Sequence, residues 1–227
     1  MKYKHTLSQA LRRISPSLRE RGRVIRKLSD QLGFVYFGLV NQHEDDHSAI
    51  RGFSASLTHT DTHYVVGTYN GHDIRLVDRL DTLHVPGHDN HQQVWTIIEI
   101  DLDATDIPHV FFVPTGRPGA EYVRLFATQP YLQPLNSVLT TQNKSPEFHG
   151  RYQILSRTTH SHQIEQLFAS PTIVGIGSRF WPHGIEIQHG KLFVYVTEHR
   201  LTKSNLEMAL TSAIWLANLL SETAEEL

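Results

Sequence analysis

His43-Glu44-Asp45-Asp46-His47 sets two imidazoles four residues apart with a carboxylate between them. On a helix that spacing presents two zinc ligands and a general base. The surrounding residues do not build such a helix: Asn41, Gln42 and Ser48 flank the segment, and three consecutive acids oppose a helix beyond its first turn. No third ligand follows at a family spacing, and an exposed acidic loop is the plainer reading. His59-Thr60-Asp61-Thr62-His63 repeats the spacing, and His84, His88 and His91 crowd a glycine-containing loop with Asp89. Three imidazoles and a carboxylate could hold zinc or nickel. Sixteen histidines in 227 residues, roughly three times ordinary usage, also make close pairs expected by chance. A solvated loop therefore stands beside the metal reading.

Glu99, Asp101 and Asp103 share one face of an apolar run and could serve as paired carboxylates in acid–base chemistry. Arg75 and Arg79 fall on a neighbouring predicted strand, and cross-strand charge pairs explain both sets without catalysis. Gly175-Ile176-Gly177-Ser178-Arg179 has the look of an anion-binding loop but lacks the full glycine spacing and a following helix. There is no G-x-S-x-G elbow and no Walker lysine motif. Absence of cysteine removes disulfides, thiolate metal sites and cysteine nucleophiles.

Charge is unevenly placed. Residues 1–32 hold nine Lys or Arg against Glu20 and Asp30, giving +7, while the remainder carries −9 of the overall −2. Arg12, Arg13, Arg19, Arg23 and Arg26 are the candidate contacts for phosphate, nucleic acid or an anionic membrane surface. A basic helix docked on its own acidic body is the competing explanation, and no aromatics, the usual partners of single-stranded bases, are interleaved with these arginines.

These residues need elements to position them. Residues 6–14 suggest a short helix, and Pro16 opens a second to Leu32, with Leu18, Ile25, Leu28 and Leu32 on one side and Gly33 as its cap. Phe34–Val40 is a dense apolar run, expected as a buried strand, and Asn41–Ser48 as a polar loop. Strands are predicted over Phe53–Leu57, His63–Thr68, Ile74–Leu80, Val94–Leu102 and His109–Val113, with Asn70-Gly71 as a hairpin turn and His84–Gln92 as a loop. Ala120–Ala127 suggests a helix, and proline-rich residues up to 147 a connection. Then come a strand at Arg151–Leu155, a helix at Ser161–Ser170 and a hairpin across His189-Gly190. A long helix follows, opened by the capping box Ser204-x-x-Glu207.

The order argues an α+β fold: an antiparallel meander sheet with a leading helix, plus a smaller C-terminal strand–helix–hairpin–helix lobe. Residues 1–127 form the first lobe, 128–147 the connection and 148–227 the second, as two lobes or one compact domain. The hydrophobic share of 39%, with three Trp, eight Tyr and ten Phe, supports a packed interior. The longest membrane-span candidate, Met208–Leu220, is too short and is interrupted by Thr211, Ser212 and Asn218. No apolar stretch follows the basic N-terminus as a secretory signal requires. A cytoplasmic location is the expectation.

Gly67-Thr68-Tyr69-Asn70-Gly71, the strand around Trp95–Leu102, and Ile185–Val196 with the final helix resemble a broad group of uncharacterised prokaryotic proteins, a domain of unknown function. That group shares a leading helix, a Gly-x-Tyr-x-Gly hairpin and a C-terminal hairpin plus helix. The resemblance implies the fold and no activity. The leading expectation is a non-catalytic binding or scaffolding protein with a protein partner and no cofactor. Two alternatives stand beside it. One is a metal-dependent hydrolase holding a divalent transition metal such as zinc on His43, His47, His84, His88 and His91. The other is an electrostatic adaptor working through residues 12–27.

Overall fold

The computed structural model describes residues 16–39, 60–83, 91–103, 106–116, 129–135, 145–168, 170–196 and 201–225. Outside them lie the expected helix at 6–14, the loop at 41–48, the strand at 53–57, most of the loop at 84–92 and the helix at 120–127.

Helix α1, Pro16–Leu32, begins at a proline whose missing N–H costs a helix start nothing. It ends as its composition requires. Gly33 takes φ 73°, and the Phe34 amide reaches back to the Ser29 carbonyl at 2.9 Å, a Schellman closure. The strands are β1 Val35–Leu39, β2 Thr60–Tyr69, β3 His72–Leu83, β4 His91–Asp101 and β5 Val110–Pro114. After them come β6 Gln133–Pro134, β7 Tyr152–Ser156, β8 Gly184–Gln188 and β9 Lys191–Val196. They form one open antiparallel sheet in the order β1-β2-β3-β4-β9-β8-β5-β7-β6. The fold is α+β.

Two tight hairpins are set by residues that tolerate positive φ. Asn70 and Gly71 (51° and 84°) turn β2 into β3, and His189 and Gly190 (50° and 67°) turn β8 into β9. Such turns match the strands' own right-handed twist. A bulge in β2 interrupts the pairing between Thr62↔Asp78 and Val65↔Leu76, with His63 inside it at φ 56°. The extra residue re-aims its neighbours, so that His63 turns toward α1 while Asp61 and Tyr64 share the opposite face.

The remaining helices are α2 Pro146–Arg151, α3 Ser161–Leu167, α4 Ser170–Arg179 and α5 Lys203–Glu225. One sheet face packs against them and α1, through Ile25 and Leu28 of α1, Leu206, Leu210 and Ile214 of α5, and Ile98, Ile100, Leu192 and Val194 of the sheet. The other face carries a second buried cluster, Tyr64, Val77, Trp95, Ile97, Phe111, Leu155, Phe193 and Tyr195, drawn from strands. Along β4 the alternation places Ile98 and Ile100 inward under the helices and Glu99 with Asp101 on the far face, as the residue pattern requires.

Three expectations are corrected. Within the expected run Phe34–Val40, Val35–Leu39 forms a strand that is the edge of the sheet among the described residues and is not buried: Val35 and Phe37 are 55% and 44% exposed. Gly175–Arg179 is the last half of α4, and its glycines serve packing. A Cβ on Gly175 would come within 2.3 Å of the Trp215 ring. The N-cap of α5 is Thr202, whose hydroxyl accepts from the Asn205 amide at 3.2 Å, with Ser204 already inside the helix.

Candidate functional site

α1 presents two chemically opposite faces. Ile25 and Leu28 point into the core, and Arg21 stands on the same stripe, four and seven residues before them. Its guanidinium is buried and makes a bidentate pair with Asp78 of β3, Nε to Oδ2 at 2.9 Å and Nη2 to Oδ1 at 2.8 Å. Thr96 of β4 completes the contact by donating to Asp78 Oδ1 at 2.6 Å. Beside it, Gly22 lies on the His63 ring so closely that a Cβ would sit 2.4 Å from the ring. The His63 Nδ1 is 2.6 Å from the Tyr36 hydroxyl. Burial is the main cause that holds the His63 pKa below its ordinary value. Asp78 opposes that lowering and Arg21 adds to it. Burial likewise raises the Tyr36 phenol, with Arg26 working against it.

The outward face of α1 carries Arg19, Arg23, Arg26 and Lys27, all exposed. Their spacing of four, three and one puts them on one side of the helix. Arg26 lies over the Tyr36 ring at 5.8 Å, which ties the cation row to edge strand β1. Arg19, Arg23 and Arg26 are thus brought together as the sequence suggested, whereas Arg12 and Arg13 lie outside the described residues.

Of the candidate metal ligands, His43, His47, His84 and His88 lie outside the described residues. His91 opens β4 opposite Leu83, and its side chain is also outside them. Among the described residues no three His, Asp or Glu side chains gather as a metal site.

The acidic pair Glu99 and Asp101 does converge, and on cations. Arg75 donates to Glu99 at 2.8 Å and to Asp101 at 2.9 Å, and Lys191 from β9 bonds Glu99 and, at 2.7 Å, Asp101. Burial acts to raise the Asp101 carboxyl, but the bonds from Arg75 and Lys191 outweigh it and hold the pKa below the usual value. Asp103 is exposed beyond the strand. Arg79 takes a different partner, pairing with buried Asp61 across β2 and β3 through two bonds of 2.8 Å. Of the three candidate acid–base carboxylates, Glu99 and Asp101 are therefore engaged in cross-strand ion pairs.

One polar chain escaped the sequence reading. Tyr195 donates to Glu186 Oε2, His109 Nε2 lies 2.7 Å from Glu186 Oε1, and His109 Nδ1 is 3.2 Å from the Tyr131 hydroxyl. Tyr131 donates to Gln129 at 3.1 Å, and Arg157 covers its ring at 4.4 Å. Tyr195 also stacks on Phe111 and meets Trp95 edge-on. A carboxylate, an imidazole and two phenols in line resemble a proton relay, but their bonds close on one another. They tie β9, β8, the start of β5 and the segment before β6 together. The available signal was a lone acid, Glu186, inside the apolar strand GIEIQ.

No family model matches the chain, and no curated protein matches it in sequence. Among solved structures, the crystal structure of the mycobacterial trehalose monomycolate transport factor A, TtfA, is similar over 88% of this chain and 93% of that one. The TM-score is 0.59 at 10% identity, a likeness of fold alone. No helix among the described residues is long and apolar enough to cross a membrane.

Proposed function

We propose that this chain is a non-catalytic binding protein that engages an anionic partner through the outward face of α1. The observation that carries this reading is the split of the helix's charges. Arg21 is spent on Asp78, while Arg19, Arg23, Arg26 and Lys27 face solvent in one row. The ionisable groups that looked most like catalysts support the same side of the argument: Glu99, Asp101, Asp61 and Glu186 are each closed against a partner. A fold shared with a protein named as a transport factor is compatible with a binding role, although a fold assigns no function by itself.

The test is retention on immobilised heparin. A chain of net charge −2 is expected to bind only through a local cationic surface, and its elution should move to markedly lower salt in the variant Arg19→Gln/Arg23→Gln/Arg26→Gln/Lys27→Gln. No retention, or retention that the four substitutions leave unchanged, overturns the proposal.

A further inference from the structure

We infer that the anionic partner is a lipid bilayer surface, met by the α1–β1 edge with Arg19, Arg23 and Arg26 at the headgroups and Val35 and Phe37 in the interfacial layer; this rests on the reading of α1 just given.

The geometry at the sheet edge carries it. Gly22 on His63 marks the flank of α1 that faces β1 and β2, and Gln31, bonded to Glu207 of α5, marks the opposite flank. Arg19 and Arg26 stand three residues before and four after Gly22, so both lie on the β1 flank, with Arg26 over Tyr36. Along β1 the side chains alternate. Tyr36 turns to the helix, while Val35 and Phe37 turn to the other sheet face and reach solvent, Phe37 leaning on Tyr64 at 5.8 Å. Arg19 and Arg26 therefore border the same sheet edge as Val35 and Phe37, from its two sides, with Arg23 on the outward face beside them and Lys27 one turn before Gln31, toward α5.

The partner has to suit both. Single-stranded nucleic acid stacks its bases on aromatics set among the cations; α1 holds none from Pro16 to Leu32, and of the two on β1, Tyr36 lies under Arg26 while Phe37 turns to the sheet face away from the cations. A duplex satisfies the cation row alone and leaves Val35 and Phe37 in water. An anionic bilayer attracts the cations and accepts the apolar pair a few ångströms deeper, the combination that peripheral surface binding uses.

The experiment is co-sedimentation of the full chain with vesicles, either phosphatidylcholine alone or two parts phosphatidylcholine to one of phosphatidylglycerol. Binding is expected on the anionic vesicles and not on the neutral ones. The four-fold Gln variant should lose it, since each cation near such a surface is worth roughly a five-fold factor. Val35→Ser/Phe37→Ser should bind roughly tenfold more weakly with heparin retention unchanged. Phe37→Trp, which keeps an aromatic at the edge, should retain binding and shift its emission to shorter wavelength on the vesicles. The inference falls if anionic vesicles are not bound while heparin is, if the apolar substitutions change nothing, or if a duplex DNA is bound more tightly than the vesicles at equal salt. Failure on heparin as well removes the underlying reading of α1.

Discussion

At the scale of single residues, the helical phase of a side chain decides more than its type. Arg21 is indistinguishable by composition from Arg19 or Arg23, yet it shares the inward stripe with Ile25 and Leu28 and ends in a buried pair with Asp78. Removing one partner of such a pair costs about 3–5 kcal/mol, because the survivor keeps an uncompensated buried charge. His63 beside it makes a prediction. Arg21 from α1, Tyr36 from β1 and Asp78 from β3 surround its ring, and burial lowers its pKa from 6.5. The folded chain therefore favours neutral imidazole, and on acidification the unfolded chain takes up this proton first. The contribution of His63 to stability is intact above about pH 6.5, declines as pH falls below that value, and levels off once pH is under the folded pKa. Urea unfolding across that window should show a steeper loss for the wild type than for His63→Asn, which tolerates the positive φ and does not titrate. Parallel curves for the two proteins would refute this account.

At the scale of elements, what was legible in the sequence was whatever local chemistry determines. The turns at Asn70-Gly71 and His189-Gly190 and the glycine end of α1 need positive φ, and few residues supply it. The alternation Ile98, Glu99, Ile100, Asp101 fixed the faces of β4 in the same way. Two elements were misjudged where a local signal has more than one solution. A run such as VYFGL reads as buried whether it ends up central or at an edge, and only the pairing order shows that it is the edge. Ser204-x-x-Glu207 fits a capping box, but Thr202 lies two residues earlier and takes the role, leaving Glu207 to pair with Lys203 at 3.3 Å and Gln31 at 3.4 Å. Thr202→Ala should therefore destabilise the protein by about 1 kcal/mol in denaturant titration, and Ser204→Ala by only a few tenths at most. The reverse ranking would restore the capping box at Ser204.

At the scale of the whole molecule, the sites the sequence missed are those assembled across distance. His109 meets Glu186 seventy-seven residues away, and no spacing rule reaches that far. The topology that joins them also interlocks the two halves of the chain. β4 pairs with β9 from Thr96↔Val196 to Asp101↔Lys191, and β5, which precedes the connection in sequence, lies between β8 and β7, which follow it. A fragment ending at residue 127 would leave Ile97, Ile98 and Ile100 of β4 without the β9 neighbour and β5 without either flank. A fragment starting at 148 would have a sheet with β5 missing from its middle. Each exposed edge carries unpaired backbone groups and apolar side chains, a combination that drives aggregation. Fragments 1–127 and 148–227 expressed separately should accumulate as insoluble or unfolded chains, judged by circular dichroism and amide exchange. Co-expression should recover soluble material in which both copurify. Two fragments that each give a cooperative melt and protected amides on their own would show that the β4–β9 seam joins two independent folding units, and the sheet's continuity would then be docking between lobes.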